Sequence, residues 1–135
     1  MIGFTGNIEE NTNFRRVLYS GTKLQLVLMS LEPGGEIGGE IHGDTDQFYR
    51  FEDGEGRMVI DGKTHKVGPG DGVIVPAVAH HNVICTGHDA LKLYTIYGPA
   101  HHQDQLVQET KAEADASDEA FNGHATEAVA EAVLV

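Results

Sequence analysis

The sequence predicts an all-β domain of short antiparallel strands, and three observations carry that prediction. Seventeen glycines accompany a hydrophobic content of 40%, a balance that suits many short elements joined by tight turns rather than a few long helices. Turn signals at Asp53-Gly54, Asp61-Gly62, Gly68-Pro69-Gly70 and Asp71-Gly72 recur at hairpin spacing, as in an antiparallel barrel or sandwich. Between them lie short runs that are β-branched or aromatic and often alternate in polarity.

Taken in order, the runs are 15–20, 23–31, 47–52, 56–60, 72–76, 81–86 and 91–98. Side chains along a strand have a period of two, so alternation assigns faces. In 23–31, Leu24, Leu26 and Leu28 form one apolar set, opposed by Gln25, Val27 and Met29. Both faces of that run are therefore expected to be covered, one by the barrel interior and the other by a second layer or a partner subunit. In 47–52, Gln47, Tyr49 and Phe51 share one face and Phe48, Arg50 and Glu52 the other; the charged set belongs outside. Gln47 then points inward among aromatics, where a buried amide oxygen calls for a partner.

From about residue 111 the composition shifts to Ala and Glu, with six acids against one base through Val135. The expected division is a barrel domain over 1–110 and an acidic tail over 111–135, helical or loosely attached, to which no chemistry is assigned. Ser117-Asp118-Glu119-Ala120 reads as a helix start and Phe121-Asn122-Gly123 as a stop. Val129, Val133 and Leu134 are candidates to pack a last short helix.

The whole chain of 135 residues fits one compact domain that buries about two thirds of its unfolded surface. Nine basic against 21 acidic residues give a formal charge of −12, which repels phosphate backbones and anionic lipid surfaces. Nucleic acid and membrane partners are therefore not expected. Cys85 is the single cysteine, so no internal disulfide forms, in keeping with a cytoplasmic protein. The first residues show no signal-peptide pattern.

Histidine carries the chemical information. Glu40 and His42 are two apart and emerge on one face of an extended segment, with Ile41 opposite. His80 and His81 send their rings to opposite sides, and the alternation His81, Val83, Cys85 turns His81 inward. Tyr49 and Cys85 lie on the same inner face, where packing is the expected role of both; the Tyr49 phenol is also the candidate to donate a proton or orient a substrate. His65, His88 and His124 read as solvent-exposed in turns or the tail. His101 and His102 read as exposed loop histidines, with capping of the barrel mouth as the alternative. The glycines at 34–35 and 38–39 are turn residues, since no Lys-Ser/Thr follows them and no helix begins there.

These residues resemble the two motifs of the cupin family. Gly34, then five residues, then Glu40-x-His42, Gln47 and Gly54 stand where the first motif has a glycine, a His-x-His pair, a glutamate and a later glycine. Gly70, Pro76 and His81 stand where the second motif has glycine, proline and histidine, with Val78 in place of a usual glycine. The resemblance implies a cupin jelly-roll (double-stranded β-helix) barrel, and more narrowly it is similar to small single-domain cupins of the mannose-6-phosphate-isomerase-like type. It also implies a metal site. Carried over, the ligands are Glu40, His42, Gln47 and His81: one imidazole has become a carboxylate and the family carboxylate an amide. The ligand charge is unchanged, and the mixed N/O set suits a divalent transition metal such as Zn, Ni, Mn, Fe or Co.

The resulting expectation is a metal-dependent isomerase or tautomerase acting on a small sugar-like or keto-acid substrate. The alternatives are a non-catalytic metal- or ligand-binding module and a dioxygenase. The resemblance also implies a homodimer, and the two-sided apolar run 23–31 gives it a local reason, because an exposed edge needs a cover.

Overall fold

The computed structural model describes residues 2–3, 5–126 and 133–134, with side chains from residue 8 to residue 126. Two sheets face each other. The larger has six strands in the order β10-β2-β3-β9-β4-β7: β2 (Arg15–Ser20), β3 (Gln25–Leu31), β4 (Asp46–Asp53), β7 (Gly72–Val75), β9 (Leu91–Gly98) and β10 (Val107–Gln108). The smaller has the order β6-β5-β8: β5 (Gly56–Ile60), β6 (Lys63–Val67) and β8 (His81–Cys85). Every pair in both sheets is antiparallel. The chain before β4 extends the smaller sheet. Residues 34–40 run beside β8 through Gly34 N–H to Cys85 O, Ile37 N–H to Val83 O and a reciprocal Glu40–His81 pair at 2.8 and 2.9 Å.

The core lies between the sheets, where Val27, Met29, Leu31, Tyr49, Phe51, Met58, Val83, Leu91 and Leu93 are sequestered from solvent. Each such apolar side chain contributes about 1.5–3 kcal/mol on burial. The expected face of β4 is the buried one: Gln47, Tyr49 and Phe51 point in, and Phe48, Arg50 and Glu52 do not. The cupin-type jelly roll follows from this arrangement of mostly antiparallel strands in two packed sheets.

Three expectations change at this level. β3 is not an edge: it sits between β2 and β9. Its outer residues Leu26 and Leu28 pack with Tyr94 and with Ile8 of helix α1 (Thr5–Glu10), so the second layer comes from the same chain and the local reason for pairing two copies through this strand disappears. β6 was not expected because four of its five residues are exposed and carry no alternation; backbone pairing with β5 makes it a strand. It also puts His65 in a strand rather than a turn, still exposed.

The tail differs in detail as well. Its helix, α2, spans Lys111–Ala116 and begins at the N-cap Thr110, whose hydroxyl accepts from Glu113 N–H at 3.1 Å; Ser117 is its C-cap, not a helix start. Glu113 also accepts from the N–H of Glu109, the residue before the cap. Residues 117–123 are not helical. Val133–Leu134 form a short strand, β11, parallel to β1 (Ile2–Gly3), rather than part of a helix; Val129 lies outside the described residues. Among the described residues no helix is long and apolar enough to cross a membrane.

Candidate metal centre

One end of the barrel collects polar side chains in rows across the larger sheet. The register places Gln25 opposite Tyr97, Tyr97 opposite Gln47, and Gln47 opposite Val75. The next row inward places Thr95 opposite Tyr49. Gln25, Gln47, Tyr49, Thr95 and Tyr97 are all buried. From the other sheet, the start of β8 supplies His81 and the segment beside it supplies Glu40 and His42. Ile41 faces outward, 60% exposed, as the alternation requires.

Three ligating atoms converge there. Glu40 Oε2 is 3.2 Å from His42 Nε2 and 3.9 Å from His81 Nε2, and the group fits within 4.8 Å. Donors held at about 2.0–2.2 Å from one ion lie roughly 3–3.5 Å apart at adjacent positions, close to these separations. His81 is oriented from behind, because its Nδ1 lies 3.1 Å from the carbonyl oxygen of Ala79. With Nδ1–H donating to that carbonyl, Nε2 is the bare nitrogen turned toward Glu40. Backbone partners of this kind fix the tautomer of metal-ligating histidines.

Gln47 is held in the same fashion: its Nε2 donates to Thr95 Oγ1 at 2.9 Å, which leaves Oε1 as the free end. Among the buried side-chain atoms without a hydrogen-bond partner are Glu40 Oε2, His42 Nε2, Gln47 Oε1, His81 Nε2 and the Tyr49 hydroxyl. Buried polar atoms are rarely left unpaired. That each residue of the expected quartet carries one, on an oxygen or an imidazole nitrogen, is the observation a metal explains. The bland alternative is an internal Glu40–His42 ion pair, and it accounts for neither Gln47 Oε1 nor His81 Nε2.

The electrostatics agree. Burial alone raises the Glu40 carboxyl, but the imidazoles of His42 and His81 and the Arg15 guanidinium more than offset it, so the group stays below its ordinary value and ionised. Burial lowers His81, which keeps the ring neutral and available as a ligand. Burial, with the Tyr97 phenol and the Glu40 carboxylate, pushes Tyr49 well above its usual value, so it remains a protonated donor.

Cys85 is buried but lies at the far end of β8 from His81, its thiol donating to Asp89 O at 3.3 Å; it belongs to the core. His80, His88 and His124 are exposed.

His101 and His102 are not exposed loop histidines. Gln25 clamps their segment, accepting from His101 N–H and His102 N–H at 3.1 and 2.9 Å and donating to His102 O at 2.7 Å. The His101 ring lies 4.2 Å from that of His42 and stacks on Tyr97 at 5.5 Å. His102 is buried against Tyr97 and Glu119. Arg15, also buried, donates to Gln108 at 2.7 Å. Of these, Arg15 and Tyr97 were accessible to period-two reasoning, since each sits at an inward position of a recognised strand. His102 and Glu119 had no local signal.

Two depressions of about 520 and 540 Å³ lie elsewhere, one lined by Arg57, Lys66 and Thr86 and the other by Phe14, Glu36 and Lys111. Neither contains any member of the converging group.

Comparison with known proteins agrees with the fold and the motifs. Residues 27–97 match the Cupin domain family. The uncharacterized protein YrkC of Bacillus subtilis is 43% identical over 118 residues, covering 82% of this chain and 63% of its own length. The uncharacterized protein L612 of Acanthamoeba polyphaga mimivirus is 42% identical over 69% of this chain and 61% of its own length. The chain thus spans less than two thirds of either relative. The crystal structure of BH2720 from Bacillus halodurans superposes with a TM-score of 0.82 at 40% identity, covering 83% of this chain and 89% of that one. KdgF from Halomonas sp. aligns with a TM-score of 0.59 at 20% identity over 63% of this chain and 76% of its own, which speaks to the fold alone. With its family region spanning the strands that carry the quartet, and two relatives above 40% identity, the chain belongs to the cupin family.

Proposed function

We propose that Glu40, His42, Gln47 and His81 hold a divalent transition metal, one of Zn, Ni, Mn, Fe or Co. We propose further that the protein is an isomerase- or tautomerase-type enzyme for a small sugar-like or keto-acid substrate. The observation that supports this most is the set of four buried, unpartnered donor atoms on those residues. When bound, the metal supplies Lewis-acid polarisation of a substrate oxygen.

The protein's own groups perform the remaining tasks. Ala79 O and Thr95 Oγ1 aim two of the ligands. Tyr49, packed edge-on against His81, keeps its proton because burial pushes the phenol well above its usual value, as a donor to a substrate oxygen must. The aromatic rings of Tyr49, Tyr97 and His101 pack beside the ligand imidazoles and keep bulk water from them, which strengthens every polar contact inside.

Titration of chelator-stripped protein with Zn²⁺ or Ni²⁺, followed calorimetrically, tests the metal. Saturable uptake near one equivalent is expected, together with a higher Tm, since a ligand at a hundred times its Kd stabilises by about 2.7 kcal/mol. Absence of saturable uptake ends the proposal. A panel of aldoses, ketoses and keto acids then tests turnover; thermal stabilisation by one of them without conversion favours the binding-module alternative.

A further inference from the structure

Arg15 is the one Lys, Arg, Asp or Glu among the described residues that is buried, and it lacks an ion-pair partner. It takes an inward position on β2, and its guanidinium carbon stands 5.2 Å from the centre of the Phe14 ring. Its Nη1 donates to the neutral amide of Gln108 at 2.7 Å, its Nε has no partner, and none of the ion pairs among the described residues involves it. Charged side chains are almost never fully buried without a counter-charge. The guanidinium is felt throughout the polar end of the barrel: burial is the largest influence on the protons of Glu40, Tyr49, Tyr97, His102 and Glu119, and the Arg15 charge acts on all five.

We propose that Arg15 is a specificity-determining residue of the candidate centre and that the ligand it selects is an anion, a small carboxylate, whose charge completes the balance inside the barrel. A divalent ion held by the quartet brings two positive charges to the one on Arg15, and the carboxylates of Glu40 and Glu119 answer two of the three. His81, His101 and His102 add none, because burial keeps their rings neutral. Uncompensated charge is costly in a low-dielectric interior, so one negative charge is the missing element. A neutral sugar leaves the imbalance in place, whereas a carboxylate removes it. Arg15 acts through its charge, which the interior screens weakly. Without the ion the same groups carry one surplus negative charge, and an anion has no reason to enter. The inference rests on the proposed metal site, and it deepens that reading by selecting carboxylates such as keto acids over neutral sugars.

The test sets zinc affinity, measured calorimetrically, beside the binding of acetate and of its neutral isostere acetamide, followed by NMR through the ring signals of His42 and His81. Acetate is expected to bind the zinc-loaded protein and not the metal-free one. Arg15→Gln should weaken acetate about tenfold, the scale of one unit charge acting at an effective dielectric constant of about 20. The same variant should leave acetamide unchanged and tighten zinc, since a like charge has gone. Arg15→Lys, which keeps the charge, should retain the acetate affinity. A merely structural Arg15 predicts a different pattern, with zinc and both probes weakened together. If Arg15→Gln does not fold, Gln47→Glu answers instead by supplying the missing negative charge from the protein: acetate should weaken and zinc tighten. Unchanged acetate affinity in the variant, looser zinc in it, or equal acetate binding without zinc overturns the inference. Zinc uptake with no preference for acetate over acetamide sinks the charge balance and leaves the metal reading standing; no zinc uptake removes the metal reading, and the surplus charge with it.

Discussion

Gln47 shows how one residue fixes the character of the site. It occupies the position where the cupin motif has a glutamate, fully buried, its amide nitrogen committed to Thr95 and its oxygen free. Gln47→Glu would place a second carboxylate beside Glu40 with no added cation. Buried like charges are costly without a counter-ion, so the metal-free variant should lose about 2 kcal/mol or more in urea unfolding. The same change should tighten Zn²⁺ binding, read calorimetrically, because a charged oxygen is the better ligand.

Val78 supplies a second residue-scale prediction. It adopts a φ of 67°, a left-handed conformation disfavoured for β-branched residues, while its side chain is 69% exposed. Glycine avoids a steric cost of about 1–2 kcal/mol there and gives back about 0.5–1 kcal/mol in unfolded-state entropy. Val78→Gly should therefore leave stability equal or raised by up to about 1.5 kcal/mol in the same assay. A loss would mean that the isopropyl group makes a contact the structure does not contain.

Among the elements, the turns differ in how tightly the chain is held. Gly54 joins β4 to β5 with a φ of 84°, and a Cβ there would stand 2.4 Å from Ala90 O. Gly62, in the β5–β6 hairpin, has a similar φ of 81° but open space around it. Gly62→Ala should cost about 1 kcal/mol, the conformational penalty alone. Gly54→Ala adds a backbone clash and should cost at least about 2 kcal/mol more. Comparable losses for the two would show that the β4–β5 junction can yield. Strand reading from the sequence succeeded where tertiary burial imposed alternation, as in β4 and β9. It missed β6, whose pairing is a backbone matter, and it placed the tail helix six residues late because Thr110 caps a segment with no apolar stripe.

For the molecule as a whole, acid should destabilise. Burial depresses His102 below its usual 6.5, with Arg15 acting in the same direction and the Glu119 and Glu40 carboxylates opposing. An imidazole that resists protonation in the fold but not in the unfolded chain makes the unfolded state bind more protons as pH drops below about 6.5. Glu119 is held below its usual 4.5 by His102, by Gln103 N–H and by Arg15, which together outweigh its burial. Its stabilisation is present above that value and lost as pH falls through the folded one. Both signs agree: Tm of the metal-free protein should be flat above pH 7 and decline from about pH 6.5 downward. A Tm independent of pH down to 4.5 would contradict the buried Glu119–His102 contact.

Features set by short-range spacing are legible in the amino-acid order: the turn glycines, the faces of the principal strands, and the shared orientation of Glu40 with His42 and of Gln47 with Tyr49. A period of two decides orientation without knowledge of the neighbours. The three-dimensional arrangement alone sets the register between strands and the return of segments from far along the chain. It placed Tyr97 beside Gln47, gave the outer face of β3 to α1, and carried Glu119 from beyond α2 to the buried His102. Those contacts arise from closure of the barrel, which brings together groups whose separation in sequence carries no periodic signal.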